Sequence, residues 1–212
     1  MVIRPKQIVN GDKLSDELDQ IDSRVISPIS LAHVVFRTAN MKPMLRFWEM
    51  FLGATISYAD DTIAFLRYDE EHHRVAIVAM PANTTPRVSD AAGLEHVAFT
   101  FRSLDGLLTA YSQRKARGIM PFWCVNHGPT TSIYYRDPDN NKIETQVDNF
   151  ENVDEAESFM MSSHFAENTV GTDFDPDELH QRVKAGESQK EMKRRIEIGP
   201  RLQPDLEADV RR

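Results

Sequence analysis

A nine-residue pattern that occurs twice constrains the fold of this chain more than any other feature. Residues 30–38 read SLAHVVFRT and residues 93–101 read GLEHVAFTF, so a histidine follows a leucine at the same interval in both segments. Each segment precedes a helical pattern that ends at a glycine. The spacing of 63 residues between His33 and His96 indicates a duplicated module rather than a solenoid.

Each copy of the repeat continues with the same order of predicted elements. In the first copy, apolar residues recur at three- and four-residue spacing from Met44 to Phe51 and predict a helix, which three short strand patterns follow. The second copy predicts a helix from Leu104 to Arg117 and again three strands. We therefore expect an α+β fold in which two βαβββ modules, residues 29–82 and 93–150, form a curved mixed sheet with helices outside.

Both ends of the chain differ from the modules in composition. Residues 1–28 form a polar, acidic arm, although apolar residues at helical spacing fit one side of a helix: Leu14, Leu18, Ile21 and Val25. Residues 151–212 carry many charges, and short helices are predicted at 155–161 and 176–185. We expect the two ends to be helical extensions of a central domain.

The overall composition narrows the class of protein. Thirty-three acidic residues against 25 lysines and arginines give a formal net charge of -8, which argues against nucleic-acid binding as the main role. No apolar run is long enough to span a membrane, and the N-terminus lacks the pattern of a signal peptide. Cys124 is the single cysteine, so it has no partner for an internal disulfide, and a cytoplasmic location is expected.

One acidic residue occupies a strand pattern in which its neighbours are apolar. Glu144 lies near the end of the segment SIYYRDPDNNKIETQ, and a buried carboxylate without a partner costs several kcal/mol. Strand alternation places His33 on one face of its strand, and His96 takes the matching place in the second module. We expect the two histidines and the acid to meet on the concave face of the sheet.

These three side chains have the chemistry of a metal site. Two imidazoles and one carboxylate form the facial ligand set that holds non-haem Fe(II) and leaves three coordination positions open. Zinc, manganese and nickel accept similar ligands, so the ligand types alone leave the metal open.

The segments LAHVVFRT, LEHVAFTF and SIYYRDPDNNKIETQ resemble the metal-binding strands of the vicinal oxygen chelate superfamily. Within it, they resemble the type I extradiol ring-cleaving dioxygenases, especially single-domain, biphenyl-2,3-diol 1,2-dioxygenase-like members. The resemblance covers about residues 29–150. It implies paired βαβββ modules around one metal, the glyoxalase/dioxygenase fold, with His33, His96 and Glu144 as ligands and Fe(II) as the cofactor.

Two features favour an iron site with three protein ligands. Glyoxalase-like members use a fourth ligand near the end of the first module's last strand, but residues 75–80 offer only Val, Ala, Ile and Met. The pair His72-His73 opens this strand, and the resemblance selects His73 as the acid and base beside bound oxygen, because only one of the two can face the cavity. An imidazole near its usual pKa can take a proton from a diol and later return it.

The segment before the acid contributes two further candidates. Tyr134 stands ten residues before Glu144, as the active-site tyrosine of the family does, and its hydroxyl would hydrogen-bond the bound substrate. His127 resembles a loop histidine of single-domain relatives, two residues away from the position expected from longer extradiol enzymes. Asn140 and Asn141 depart from the usual Asp-Gly or Asn-Gly, but asparagine tolerates a left-handed backbone, so we expect the turn to persist.

The resemblance implies an extradiol dioxygenase that uses Fe(II) and O2 to open a catechol-type ring, with an aromatic diol and O2 as small-molecule partners. Modules of this kind often pair, which suggests a homodimer or a higher homo-oligomer. Two other classes stay open: a non-oxidative isomerase or lyase with zinc, manganese or nickel, and a protein that binds an aromatic compound without catalysis. Metal analysis with reconstitution of activity distinguishes the non-oxidative enzyme from an iron dioxygenase. Ligand binding that persists after the metal is chelated, without turnover, would favour the binding protein.

Overall fold

The computed structural model of the chain describes residues 25, 27–88 and 91–206. Contacts divide the chain into residues 1–32 and a compact unit of residues 33–212. Of the helix predicted through Leu14, Leu18, Ile21 and Val25, only Val25 lies within the described residues, and it is not helical there. The second unit contains both modules and the C-terminal extension.

The first module has the predicted order of strand, helix and three strands. Its elements are β1 (Val34–Thr38), α1 (Met41–Leu52), β2 (Thr55–Ala59), β3 (Ile63–Arg67) and β4 (Val75–Ala79). They form a four-stranded mixed sheet of order β1-β4-β3-β2, in which only β1 and β4 are parallel. Helix α1 ends at Gly53, whose φ of 63° lets its N–H donate to the Glu49 carbonyl.

The second module repeats this order. Its elements are β5 (His96–Thr100), α2 (Leu104–Lys115), β6 (Trp123–Asn126), β7 (Thr130–Arg136) and β8 (Lys142–Asp148). Strand β8 pairs with β5 in parallel and with β7 in antiparallel register. In the turn between β7 and β8, Asn140 has a φ of 64°, which confirms the left-handed turn predicted there.

The C-terminal extension adds helices and one short strand. Its elements are α3 (Val153–Met160), α4 (Ser163–Glu167), β9 (Thr172–Asp173), α5 (Pro176–Lys184) and α6 (Gln189–Lys193). Strand β9 pairs with β6 and becomes the outer strand of the second sheet. The sequence predicted α3 and α5 to within two residues, but not α4, α6 or β9, because these are very short elements without a periodic pattern.

The strands are divided between two mixed sheets. The predicted paired modules and α+β class are confirmed, but β1 and β5 are each the edge strand of a separate sheet rather than neighbours in one curved sheet. The two sheets nevertheless share a single hydrophobic core.

Trp48 and Arg114 join the two modules inside this core. The Trp48 indole, which is fully buried on α1, contacts Phe36 of the first module and Phe99 of the second. Arg114 of α2 donates from Nε to the Phe51 carbonyl at 2.8 Å, so a buried guanidinium caps the C-terminal end of α1. His96 is the first residue of β5, and His33 directly precedes β1.

Candidate active site

Glu144 is the buried acid at the centre of the candidate site. Only 5% of the residue is exposed, and its Oε2 lies 3.0 Å from Nε2 of His96. Burial by itself would raise the pKa of Glu144, but hydrogen bonds from His96, Ser132 and Tyr134 outweigh it and lower the pKa below its usual value. The carboxylate is therefore charged at neutral pH, and its hydrogen bonds supply the partners that a buried carboxylate needs.

The register of the second sheet explains why His96 meets Glu144. Strands β5 and β8 are parallel, with His96 opposite Lys142 and Ala98 opposite Glu144. Residues two positions apart share a face of a strand, so the histidine and the acid project from the same side as diagonal neighbours.

Tyr134 lies on the other side of Glu144. It is the direct partner of Glu144 in the antiparallel register of β7 and β8, and Trp123 stacks on its ring with 5.0 Å between centroids. Its hydroxyl lies 2.9 Å from Nε2 of His127, and it also hydrogen-bonds the Glu144 carboxylate. We call His96, Glu144, Tyr134 and His127 the Glu144 cluster.

The protonation of His127 follows from its two neighbours. Its Nδ1 lies 2.5 Å from the Val170 carbonyl, which can only accept, so Nδ1 carries a hydrogen. Burial lowers the pKa of His127, which favours the neutral ring and leaves a lone pair on Nε2 for the Tyr134 hydroxyl. Burial and the nearby Glu144 charge raise the pKa of Tyr134, so the phenol stays protonated, and its one hydrogen is shared between Nε2 of His127 and the Glu144 carboxylate.

His33 lies in a second group of side chains, at the start of β1. Its ring is 4.3 Å from the His73 ring, which in turn stacks on Phe65 at 4.5 Å and lies 4.4 Å from His72. We call His33, His72 and His73 the His33 cluster. Between the paired histidines, His73 faces His33, while the His72 side chain is 72% exposed.

The charge state of His73 suits a proton acceptor. Burial and the neighbouring rings of His33 and His72 lower the pKa of His73, so this imidazole is mainly neutral at pH 7. A neutral ring has a free lone pair, which is the form that takes a proton from a hydroxyl.

The structure brings together two of the three predicted metal ligands. His96 and Glu144 form a pair of suitable chemistry, whereas His33 lies with His73 instead. Among residues 25, 27–88 and 91–206, no group of three or more histidine, cysteine, aspartate or glutamate side chains is arranged to hold a metal ion. The predicted ligand set is therefore incomplete in this arrangement, and the metal site of His33, His96 and Glu144 stays a prediction.

The position of a fourth ligand is occupied by an alanine. The two modules share the same strand pairing, with Val35 opposite Ala76 in the first and Ala98 opposite Glu144 in the second. Ala76 therefore takes the place in module one that Glu144 takes in module two, and it offers no donor atom. The absence of a fourth protein ligand stays a prediction.

A cavity of about 750 Å³ opens beside His96. Its wall includes Val35 and Arg37 of β1, and His96 and Lys142 of the second module. The volume falls within the range of small-molecule sites. The cavity therefore lies beside the edge strands β1 and β5 of the two sheets.

Sequence reasoning missed the residues that hold His127. Val170 and Arg195 both belong to the C-terminal extension and contact His127 through the Val170 carbonyl and the Arg195 guanidinium. They lie 43 and 68 residues from it in sequence, and neither stands in a motif, so no local signal pointed to them.

Comparisons with known proteins agree with the fold and also identify relatives that are named as enzymes. The profile of the glyoxalase/bleomycin resistance protein/dioxygenase superfamily matches residues 30–145. The chain is 42% identical over 155 residues to biphenyl-2,3-diol 1,2-dioxygenase 2 of Rhodococcus globerulus, covering 73% of this chain and 82% of that protein.

Two more relatives show how widely the similarity extends. Biphenyl-2,3-diol 1,2-dioxygenase 3 of Rhodococcus globerulus is 40% identical over 163 residues, covering 76% of this chain and 86% of that protein. Glutathione transferase FosA of Serratia marcescens is 28% identical over 127 residues, covering 56% of this chain and 80% of that protein. The similarity to the two dioxygenases is thus both higher and longer.

Proposed function

This chain belongs to the glyoxalase/bleomycin resistance protein/dioxygenase superfamily, and we propose that it is an extradiol ring-cleaving dioxygenase that opens a catechol-type substrate with O2. The observation that carries the proposal is the buried Glu144 with His96 at 3.0 Å and Tyr134 at its side. The identity of about two fifths to two dioxygenases of biphenyl-2,3-diol supports the same reaction class.

The proposed cofactor is Fe(II), with His33, His96 and Glu144 as its ligands. Bound there, the ion would supply Lewis acidity and open positions for a diol and for O2. His96 and Glu144 are already adjacent, and the negative charge of the carboxylate suits a divalent cation. His33 lies beside His73, and it completes the ligand set when it approaches this pair.

The side chains of the Glu144 cluster can bind and orient a diol. The single hydrogen of the Tyr134 hydroxyl is taken up by Nε2 of His127 and the Glu144 carboxylate, so its oxygen is left to accept a hydrogen bond from a substrate hydroxyl. The Trp123 ring behind Tyr134 provides an apolar wall, which suits an aromatic substrate.

His73 is proposed as the acid and base of the reaction. As a neutral imidazole it can take a proton from one hydroxyl of the diol and return it when the ring opens. Its neighbour His33 is the proposed ligand from the same module, so a substrate near the metal would also lie near His73.

Replacing His73 with alanine is expected to lower kcat by about 10²- to 10⁴-fold, since a general acid and base is lost. The iron content should remain that of the wild type, because His73 is not a proposed ligand. Steady-state oxygen uptake and metal analysis measure the two quantities. His72→Ala is the matched control, with an exposed neighbouring ring, and should retain the wild-type rate; an unchanged rate in His73→Ala removes this residue from the mechanism.

The proposed reaction has a direct test. Protein prepared without oxygen and loaded with Fe(II) is mixed with biphenyl-2,3-diol, and oxygen uptake is followed together with formation of the yellow ring-opened product. We expect one O2 consumed for each product molecule. Full iron loading without oxygen uptake across a panel of catechols would rule out the assignment.

A second candidate function is a non-oxidative reaction with another divalent metal. The similarity to a protein named glutathione transferase favours it, although this relative matches a shorter part of the chain at lower identity. Reconstitution with manganese, zinc or nickel and a search for turnover without oxygen distinguish it from iron oxygenation. The homo-oligomeric state and the cytoplasmic location remain predictions; within the described residues, no helix is long and apolar enough to cross a membrane.

A further inference from the structure

Arg195 is a buried guanidinium that ties three backbone segments together. Its side chain is 1% exposed, and it donates to the carbonyls of His127 at 3.2 Å, Asn168 at 2.7 Å and His164 at 3.0 Å. The remaining two N–H groups donate to the Glu197 carboxylate. All five donors of the guanidinium are thus used, three of them on main-chain oxygens that surround the His127 loop.

The loop that faces His127 is fixed in the same place. Asn168 is buried, and its side-chain oxygen accepts from the backbone N–H groups of Val170 and Gly171. Gly171 approaches strand β6 so closely that a Cβ atom there would lie 2.2 Å from the Asn126 carbonyl oxygen. The result is a tight turn that presents the Val170 carbonyl to Nδ1 of His127.

We propose that Arg195 is a positioning residue that holds His127 as the tautomer protonated on Nδ1, and this proposal rests on the proposed role of Tyr134 and His127 in the active site. Arg195 donates to both partners of the contact between His127 and Val170: to the His127 carbonyl, and to the Asn168 carbonyl in the turn that carries Val170. We call these hydrogen bonds the clamp. The Nδ1 hydrogen is thereby committed to Val170, and the lone pair of Nε2 points to the Tyr134 hydroxyl. The C-terminal extension thus keeps Nε2 of His127 available as an acceptor for the Tyr134 hydroxyl.

The shape of the guanidinium explains why an arginine is needed. Its planar fork spans several acceptors at fixed angles, whereas the lysine ammonium is a single point with three donors. A lysine at this position keeps the charge but cannot bind all three carbonyls and Glu197 together. A methionine at this position keeps part of the length and the apolar stem of the arginine side chain, but it makes none of the five hydrogen bonds of the guanidinium.

The test compares Arg195→Met and Arg195→Lys with the wild type. Arg182→Met is the control, because Arg182 also belongs to the extension and pairs only with exposed Glu187. The tautomer is read from the ¹⁵N signals of the histidine ring nitrogens in labelled protein, with His127→Gln used to assign the His127 signals. The kcat and KM for biphenyl-2,3-diol are measured on the same samples, whose folding is checked by near-ultraviolet circular dichroism.

In the wild type and in Arg182→Met, we expect His127 to be protonated on Nδ1. In Arg195→Met, we expect a mixture of tautomers and a kcat lowered about 10- to 100-fold, the effect of a small misplacement in an active site. The KM should change less than twofold, and Arg195→Lys should lie between the other two. Loss of folded protein alone would leave the tautomer and kcat of the folded fraction unchanged.

The two readouts separate this inference from the proposed function. A shifted tautomer in Arg195→Met in a protein without dioxygenase activity would support the clamp and reject the reaction. Ring cleavage together with an unchanged His127 tautomer in a folded Arg195→Met variant would overturn the clamp and leave the reaction standing. Wild-type His127 protonated on Nε2 would overturn the clamp outright.

Discussion

Glu144→Ala is expected to lose bound iron and to lower ring cleavage by at least about 10³-fold, since metal-bound charge stabilisation is worth several kcal/mol and each 1.4 kcal/mol is tenfold in rate. Glu144 is the buried anion of the candidate site, and without it His96 has no carboxylate beside it. Two imidazoles with no negative charge hold a divalent cation far less well than the facial set. Iron per chain after anaerobic loading and oxygen uptake with biphenyl-2,3-diol measure the two losses.

The fold of this variant should remain intact. The hydrogen bonds of Glu144 outweigh its desolvation, and its removal leaves His96, Ser132 and Tyr134 without this acceptor, so we expect the metal-free variant to fold but to be about 1–3 kcal/mol less stable. Asp148→Ala is the matched control, because Asp148 lies on the same strand and the same face but is exposed. A Glu144→Ala variant with wild-type iron content and activity would show that the metal lies elsewhere.

Trp48→Ala is expected to lower the free energy of unfolding by about 3–5 kcal/mol, the cost of deleting a large aromatic side chain in a core. Trp48 is fully buried and packs against rings of both modules, including Phe36 and Phe99. Its loss therefore leaves a cavity at the point where the modules join. Urea unfolding followed by far-ultraviolet circular dichroism measures the change.

A second substitution at this position separates ring packing from the indole nitrogen. Among the described residues, Trp48 Nε1 has no hydrogen-bond partner, and a buried unpaired donor costs about 1–3 kcal/mol. Trp48→Phe keeps most of the ring and removes this donor, so we expect it to change stability by less than about 1.5 kcal/mol, as near volume-conserving core changes do. Equal losses in Trp48→Phe and Trp48→Ala would contradict the packing explanation.

Much of the fold could be predicted because it is built from local periodicities. The spacing of Phe47, Trp48 and Phe51 marks the buried side of α1, and the repeat around His33 and His96 marks the first strand of each module. These patterns depend on neighbours a few residues away, which a sequence displays directly.

The candidate site was less predictable because it depends on how the two sheets lie relative to each other. His96 and Glu144 meet as expected, since the pairing of β5 with β8 is fixed within one module. His33 lies on the edge strand of the other sheet, and no local pattern specifies its distance from them. Arg195 could not be predicted for a different reason. An arginine in a charged segment is usually a surface residue, and the three carbonyls that accept from this one are distant in sequence.

The most direct measurement is anomalous diffraction at the iron edge from crystals grown and loaded with Fe(II) without oxygen. The account predicts one strong peak per chain within bonding distance of Nε2 of His96 and a carboxylate oxygen of Glu144, with the His33 ring drawn in as the third ligand. A peak among His33, His72 and His73 that leaves Glu144 unbound, or no peak at either cluster in fully loaded protein, would contradict it.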